Sequence, residues 1–211
     1  MKRLFSVLTV FSMMLGCNLA NAVERFQEGT HYTRISPAQP TSAPAGKVEV
    51  REFFWYGCPH CHTFEPVLHN WVQSHSESID FGRIPVVFRP DWGVHAKGYY
   101  AAEALGIIEN VHQAIFDEIH KDKKPLDKMH TLAAFIAKTS GLEEPVVLDT
   151  MKSFAVETKI RKAEQMSRAY RLRGVPAIAI AGKYTVTAGQ VGTGANMMEV
   201  VDFLIAKARV K

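Results

Sequence analysis

The chain has 211 residues, of which 47% are hydrophobic and 22% charged. That composition excludes a disordered or fibrous chain, and the length suits one domain or two small ones whose core needs no disulfide staple. The formal charge is +4; without Lys2 and Arg3, 25 basic residues become 23 against 21 acids and the charge falls to +2, too weak a bias to argue for nucleic acid or an anionic membrane surface as partner.

Residues 1–22 read as a cleavable export signal. Met1-Lys2-Arg3 is a positive start, Leu4 to Leu15 is an apolar run broken only by Ser6, Thr9 and Ser12, and Ala20-Asn21-Ala22 fits the small-residue cleavage pattern. Met14-Leu15-Gly16-Cys17 offers a competing lipid-attachment reading at Cys17, but Ala20-Asn21-Ala22 is the better cut. The apolar run is short for a membrane span, and no later segment offers about 18 uncharged apolar residues. The expectation is a soluble, exported protein.

Residues 23–46 read as an irregular, extended arm rich in Pro, Ser and Thr. Lys47 to Tyr56 is dominated by β-branched and aromatic residues and predicts a strand, apolar throughout at its end as in a strand covered on both faces. Gly57 breaks it. A helix follows at once, with Cys58 at the N-cap, Pro59 at the first helical position, and Phe64, Val67, Leu68, Trp71 and Val72 at helical spacing; Pro66 should kink it. Ile79 to Phe88 predicts a second strand, with Pro85 marking a strand start or an edge. From about Asp91 to Arg173 the pattern is helical: Lys97 to Leu105, Val111 to His120, His130 to Thr139, and one long stretch from Glu144 to Arg171. Lys121-Asp122-Lys123-Lys124 reads as a solvated helix end or loop. Val175 to Ile180 and Tyr184 to Thr187 flank Ala181-Gly182-Lys183 as a hairpin. A last helix starts with Asn196 as N-cap and Glu199 completing a capping box. The order predicts an α/β fold: a mixed sheet flanked by helices, with a helical block inserted.

Once the signal is removed, Cys58 and Cys61 are the only cysteines. A disulfide across so short a loop constrains the unfolded chain little, so this pair is a poor staple and a better reactive group. Cys58 to His62 also spells the C-x-x-C-H of a covalent haem site. That reading needs a second axial ligand, and Met151, Met166, Met197 and Met198 are better explained as apolar helix faces. Zinc on Cys58, His60, Cys61 and His62 lacks a second, well-separated ligand pair. A C-x-x-C where a strand runs into a helix reads as a redox motif, and neither metal nor cofactor is expected.

At that helix N-terminus, unpaired N–H groups and the helix dipole favour an anion. The dipole is worth about 0.3 to 1 kcal/mol, or up to about 2 when sheltered, against about 1.36 kcal/mol per pKa unit. It therefore lowers the Cys58 thiol by roughly one unit; His60 and the Cys61 N–H are candidates for the rest. A thiolate exists only in the reduced protein, so stabilising it makes the Cys58–Cys61 disulfide an oxidant and Cys58 a good leaving group. Cys61, one turn further in, should be the more buried.

Glu52-Phe53-Phe54 leading to Cys58-Pro59-His60-Cys61 and Phe64-Glu65, with Gly174-Val175-Pro176 far downstream, resembles the DsbA family of periplasmic disulfide oxidoreductases over essentially the whole mature chain. The resemblance implies a thioredoxin fold made of residues 23–90 and 172–211, with 91–171 as an inserted helical domain. It implies that Pro176 follows a cis peptide bond facing the cysteines, that Val175 offers its backbone to an extended substrate, and that Glu52 and Glu65 are acids modulating the site. It also implies reduced, unfolded exported proteins as substrates, a quinone-linked membrane reoxidant of the DsbB type, and a monomer. Gly57 beside Cys58 and the Pro-rich arm depart from the family's pattern and bear on substrate range. For Glu52 the bland alternative is a solvent-facing strand residue, for Pro176 an ordinary trans proline; His62 reads as an exposed helix residue, and the remaining histidines show no pattern. The rival functions are a disulfide isomerase or reductase on the same fold and a non-catalytic thioredoxin-like binding module.

Overall fold

The computed structural model describes residues 25–210; the expected signal and Cys17 lie outside the described residues. A five-stranded sheet runs through the molecule in the order β1 (Thr33–Arg34), β5 (Tyr184–Thr187), β4 (Ala177–Ile180), β2 (Val48–Phe54), β3 (Ile79–Pro85). β2 and β3 are parallel, joined by the crossover helix α1 (Pro59–His75); the other neighbours are antiparallel. β2 is central, which is why its sequence does not alternate: six of its seven residues are buried.

Period-2 geometry divides the short β4 between two cores. Ile178 and Ile180 join Val50, Leu68 and Leu204 in one layer. This layer sits under α1 and the C-terminal helix α8 (Ala195–Arg209), α7 being the short turn Ala188–Val191. Ala177 and Ala179 face the other layer, with Phe53, Phe54 and Ile84. There the chain between β3 and β4 stacks α2 (Gly93–Ala104), α3 (Ile108–His120), α4 (Met129–Ser140), α5 (Glu144–Met151) and α6 (Phe154–Ala169). α2 lies close against α4: a Cβ on Gly98 would fall 2.5 Å from Leu132 Cδ2. Among the described residues no helix is long and apolar enough to cross a membrane.

Three expectations need correction. The stretch from Glu144 to Arg171 is two helices, because Ser153 takes an extended conformation and its Oγ accepts from Val156 N at 3.3 Å, starting α6 afresh. Asn196 does not cap α8. Gly194, at φ +88°, is the N-cap, Met198 N donates to its carbonyl, and Glu199 instead pairs with Arg25. The arm is not wholly irregular, since Thr33–Arg34 adds an edge strand against β5. The second predicted strand ends at Pro85, on the opposite edge of the sheet, and α1 is assigned unbroken through Pro66. Ser153→Ala should lower the unfolding free energy by ~1 kcal/mol, whereas Asn196→Ala should stay within ~0.5 kcal/mol. Urea unfolding of both variants checks this, and the reverse order would restore Asn196 as the cap.

Candidate active site

The chain leaves β2 through Trp55–Gly57 and reaches Cys58 with extended backbone (φ −87°, ψ 115°), so that Pro59 opens α1 as expected. Cys58 N donates to the Trp55 carbonyl at 3.0 Å, and His62 N to the Cys58 carbonyl at 3.1 Å. Both sulfurs are thiols. Cys58 keeps 8% exposure and Cys61 none, so an incoming thiolate meets only the first. Pro59 and His60 are exposed on the rim. Gly57 is a packing requirement: a Cβ there would fall 2.3 Å from Trp55 Cζ2. The Trp55 indole is held by stacking on Trp92, with centroids 3.9 Å apart and planes within 4°.

Val175 and Pro176 arrive from the other side of the sequence. The Val175–Pro176 peptide is cis, and the Cys58 thiol donates to the Val175 carbonyl at 3.6 Å across 117 residues of sequence. This contact brings the loop and the cysteines together.

The two thiols are driven apart in acidity. Cys58 is lowered to about 6, chiefly by a hydrogen bond from the Cys61 thiol. Burial opposes this shift, and the backbone N–H groups of Cys61 and His60, with the His60 charge, add to it. Cys61 is pushed far up, by burial first and then by its role as donor to Cys58. The sequence pointed to His60 and the Cys61 backbone, but the largest contribution is the second thiol itself.

Beneath the pair lies a buried charge cluster. The parallel register sets Glu52 directly beside Arg83, and Glu52 is 1% exposed, which rejects the solvent-facing alternative. Arg83 Nε lies 3.2 Å from Glu52 Oε2 but does not point at it. Burial therefore dominates Glu52, aided by the Glu65 charge, and raises it to about 8. Glu65, one turn beyond Cys61, accepts from Arg83 Nη2. Burial pushes Glu65 up, but His112 and Arg83 outweigh that and hold it below its ordinary value. His112 Nε2 is 3.4 Å from Glu65, and its Nδ1 is 2.8 Å from Tyr56 Oη. Burial keeps His112 neutral and Tyr56 protonated. The tautomer consistent with both contacts has Tyr56 donating to Nδ1 and Nε2–H facing the carboxylate.

His62 also departs from expectation. It is half-buried, lies 2.9 Å from Asp117 Oδ1, and stacks on His120 at 4.9 Å. His120 Nε2 reaches the Tyr56 carbonyl at 2.8 Å. These contacts fasten the first turns of α1 to α3. The signal was present: His112, Phe116 and His120 recur every fourth residue, one face of a helix. Arg83 had no comparable signal, since only the strand register reveals its partner.

The sign of the Glu52 effect follows from its raised pKa. Between pH 4.5 and about 8 the unfolded chain carries its charge and the fold does not, so stability falls as pH rises through that window. Glu52→Gln should remove this loss, stabilising the protein little at pH 4.5 and by on the order of a few kcal/mol at pH 8. Arg83→Met, which strands the Glu65 charge, should cost ~3–5 kcal/mol. Denaturant midpoints across pH check both, and an equal effect of Glu52→Gln at every pH would contradict the protonation assigned here.

The family described as "DSBA-like thioredoxin domain" matches residues 83–205. The thiol:disulfide interchange protein DsbA of Burkholderia cepacia is 40% identical, covering 100% of this chain and 99% of that protein. The Azotobacter vinelandii DsbA is 37% identical over 93% of this chain and 97% of its own. Among solved structures, Pseudomonas aeruginosa DsbA superposes with a TM-score of 0.82 at 36% identity, covering 89% of this chain and 96% of that one. The Xylella fastidiosa oxidoreductase DsbA gives 0.81 at 30% identity, covering 88% and 98%. With its mixed sheet, flanking helices and cysteine pair at a helix N-terminus, the chain belongs to the DsbA family of the thioredoxin fold and is a thiol:disulfide oxidoreductase.

Proposed function

We propose that the protein is a periplasmic dithiol oxidase that donates the Cys58–Cys61 disulfide to newly exported proteins. The observation that carries this reading is the split in acidity between two sulfurs one helical turn apart. A substrate thiolate attacks Cys58 Sγ, the S–S bond breaks, and Cys61 leaves. Because Cys61 strongly disfavours its anion, it must take a proton as it leaves. Glu52, protonated at neutral pH and electrostatically coupled to Cys61, is the group we assign as that donor. The second substrate thiolate then attacks the substrate sulfur of the mixed disulfide. Cys58 departs as the stabilised thiolate, and the substrate leaves oxidised, having passed two electrons to the protein. Val175 supplies backbone for an extended substrate segment, Pro176 fixes that backbone opposite Cys58, and Pro59 and His60 set the mouth of the site. Glu65 modulates it from below, holding Arg83 neutralised so that Glu52 remains the neutral acid.

The family exchanges disulfides with substrates and is reoxidised by a partner. For this chain we assign a quinone-linked membrane partner of the DsbB type, export by residues 1–22, residues 91–171 as an inserted domain, and a monomeric working form. In a reductase the disulfide would be the favoured state. The lowered Cys58 pKa favours the dithiol instead, which is the reason to prefer oxidase over a reductase.

Cys58→Ser should abolish oxidation of a reduced model peptide, and Cys61→Ser, first converted at Cys58 to a mixed disulfide with glutathione disulfide, should exchange glutathione for a single-thiol peptide and accumulate that mixed disulfide, both read by mass spectrometry. Full activity of Cys58→Ser would instead support the binding module. Reduction should also stabilise the fold. Cys58 is lowered from 9.0 to about 6, so the thiolate's contribution is complete above its unfolded pKa and fades as pH falls through about 6. The reduced form should unfold at higher urea than the oxidised form at neutral pH, with the gap closing toward about pH 5. A reduced form that is the weaker at neutral pH would remove the oxidase reading.

A further inference from the structure

A groove of about 380 Å³ lies against the loop that faces Cys58, and it differs electrostatically from the other large grooves. Its floor includes Val175, Pro176 and Ala188, and its lining carries Arg34, Arg171 and Arg173 with no carboxylate among the described residues. The groove between β3 and α6 mixes its lysines with Glu49, Glu103 and Glu109, and the one between α1 and α3 includes Glu65, Glu109 and Asp117. The three guanidinium groups are unequally satisfied. Arg34 pairs with Glu28 at 3.1 Å, both side chains about half exposed. Arg171 spends one N–H on the neutral Ser36 carbonyl at 3.0 Å. Arg173 is exposed and makes no ion pair among the described residues. The positive charge of the groove therefore exceeds what the fold itself neutralises.

We propose that this groove selects substrate segments carrying Asp or Glu close to the reacting cysteine, with Arg173 and Arg171 as the specificity-determining residues. The proposal rests on the oxidase reading and adds a substrate class to it. A peptide whose cysteine reaches Cys58 runs along Val175, where backbone pairing is indifferent to sequence and side chains alone discriminate. Arg173 stands two residues from Val175. At a rise of about 3.3 Å per extended residue, a carboxylate within about three residues of the substrate cysteine comes within reach. A guanidinium offers that carboxylate two parallel N–H donors.

The test uses three dithiol peptides identical except for Glu, Ala or Lys at the positions flanking the cysteines, oxidised by the full protein at low salt. The second-order rate constants should rank Glu over Ala over Lys, with Glu ahead of Lys by about five- to tenfold. The ratio should shrink toward one in 0.5 M salt, where the Debye length falls to about 4 Å. Arg173→Glu with Arg171→Glu should reverse the ranking, and the reversal reads specificity independently of any general loss of stability. Equal rates for all three peptides, or a ranking that the double variant leaves unchanged, overturns the proposal. So does binding of anionic phosphatidylglycerol vesicles through these arginines without any peptide preference, which would assign them to a lipid surface. Oxidation of the Ala peptide by the unsubstituted protein reports on the oxidase reading alone, so failure there is distinguishable from failure of the specificity.

Discussion

Arg83 is a largely buried cation between two buried carboxylates, and the protonation of the whole site depends on how it is shared. Fully hydrogen-bonded to both, it would hold both as anions and leave the cluster with net negative charge under the cysteines. The structure aligns it on Glu65 and leaves its contact with Glu52 misdirected. Glu65 and Arg83 then neutralise each other, His112 supports Glu65 from the opposite side, and Glu52 is left as the neutral acid. A buried ion pair seldom adds much stability over an apolar replacement. Its use here is positional, fixing which of two carboxyl groups carries the mobile proton.

The sulfurs depend on that arrangement. An anionic Glu52 would oppose a thiolate at either cysteine; a neutral one allows the negative charge to settle on Cys58 alone. Cys58 then collects the donors available at the helix start, the largest being the Cys61 thiol. The two cysteines are thus complementary: the same hydrogen bond lowers one and raises the other. Tight fastening of α1 to α3 through His62, Asp117, His120 and the Tyr56 carbonyl keeps this first turn in register with the cluster below.

Much of this was legible along the chain because it is local. The strand running into Cys58, Pro59 at the first helical position and the hairpin around Gly182 are all short-range patterns, and the structure follows them. What was missed is long-range or conditional. Arg83 acquires its meaning from strand register, and His112 from the packing of α3 on α1. The break at Ser153 was hidden because apolar periodicity continues on both sides of it, and only the residue's cap conformation ends one helix and begins another. Asn196 shows the converse error. Its side chain suits a cap, but the left-handed Gly194 turns the chain into the helix earlier. Glu52 and Pro176 were recoverable from family resemblance rather than from their own neighbourhoods, since a strand glutamate and a valine–proline pair are ambiguous by themselves.

The cysteines sit close together in sequence and, as free thiols, leave both apolar layers of the sheet intact. The architecture is therefore independent of the covalent link that the chemistry consumes. A protein that hands cross-links to others can stand without its own through every turnover, and its scaffold need not be rebuilt between one client and the next.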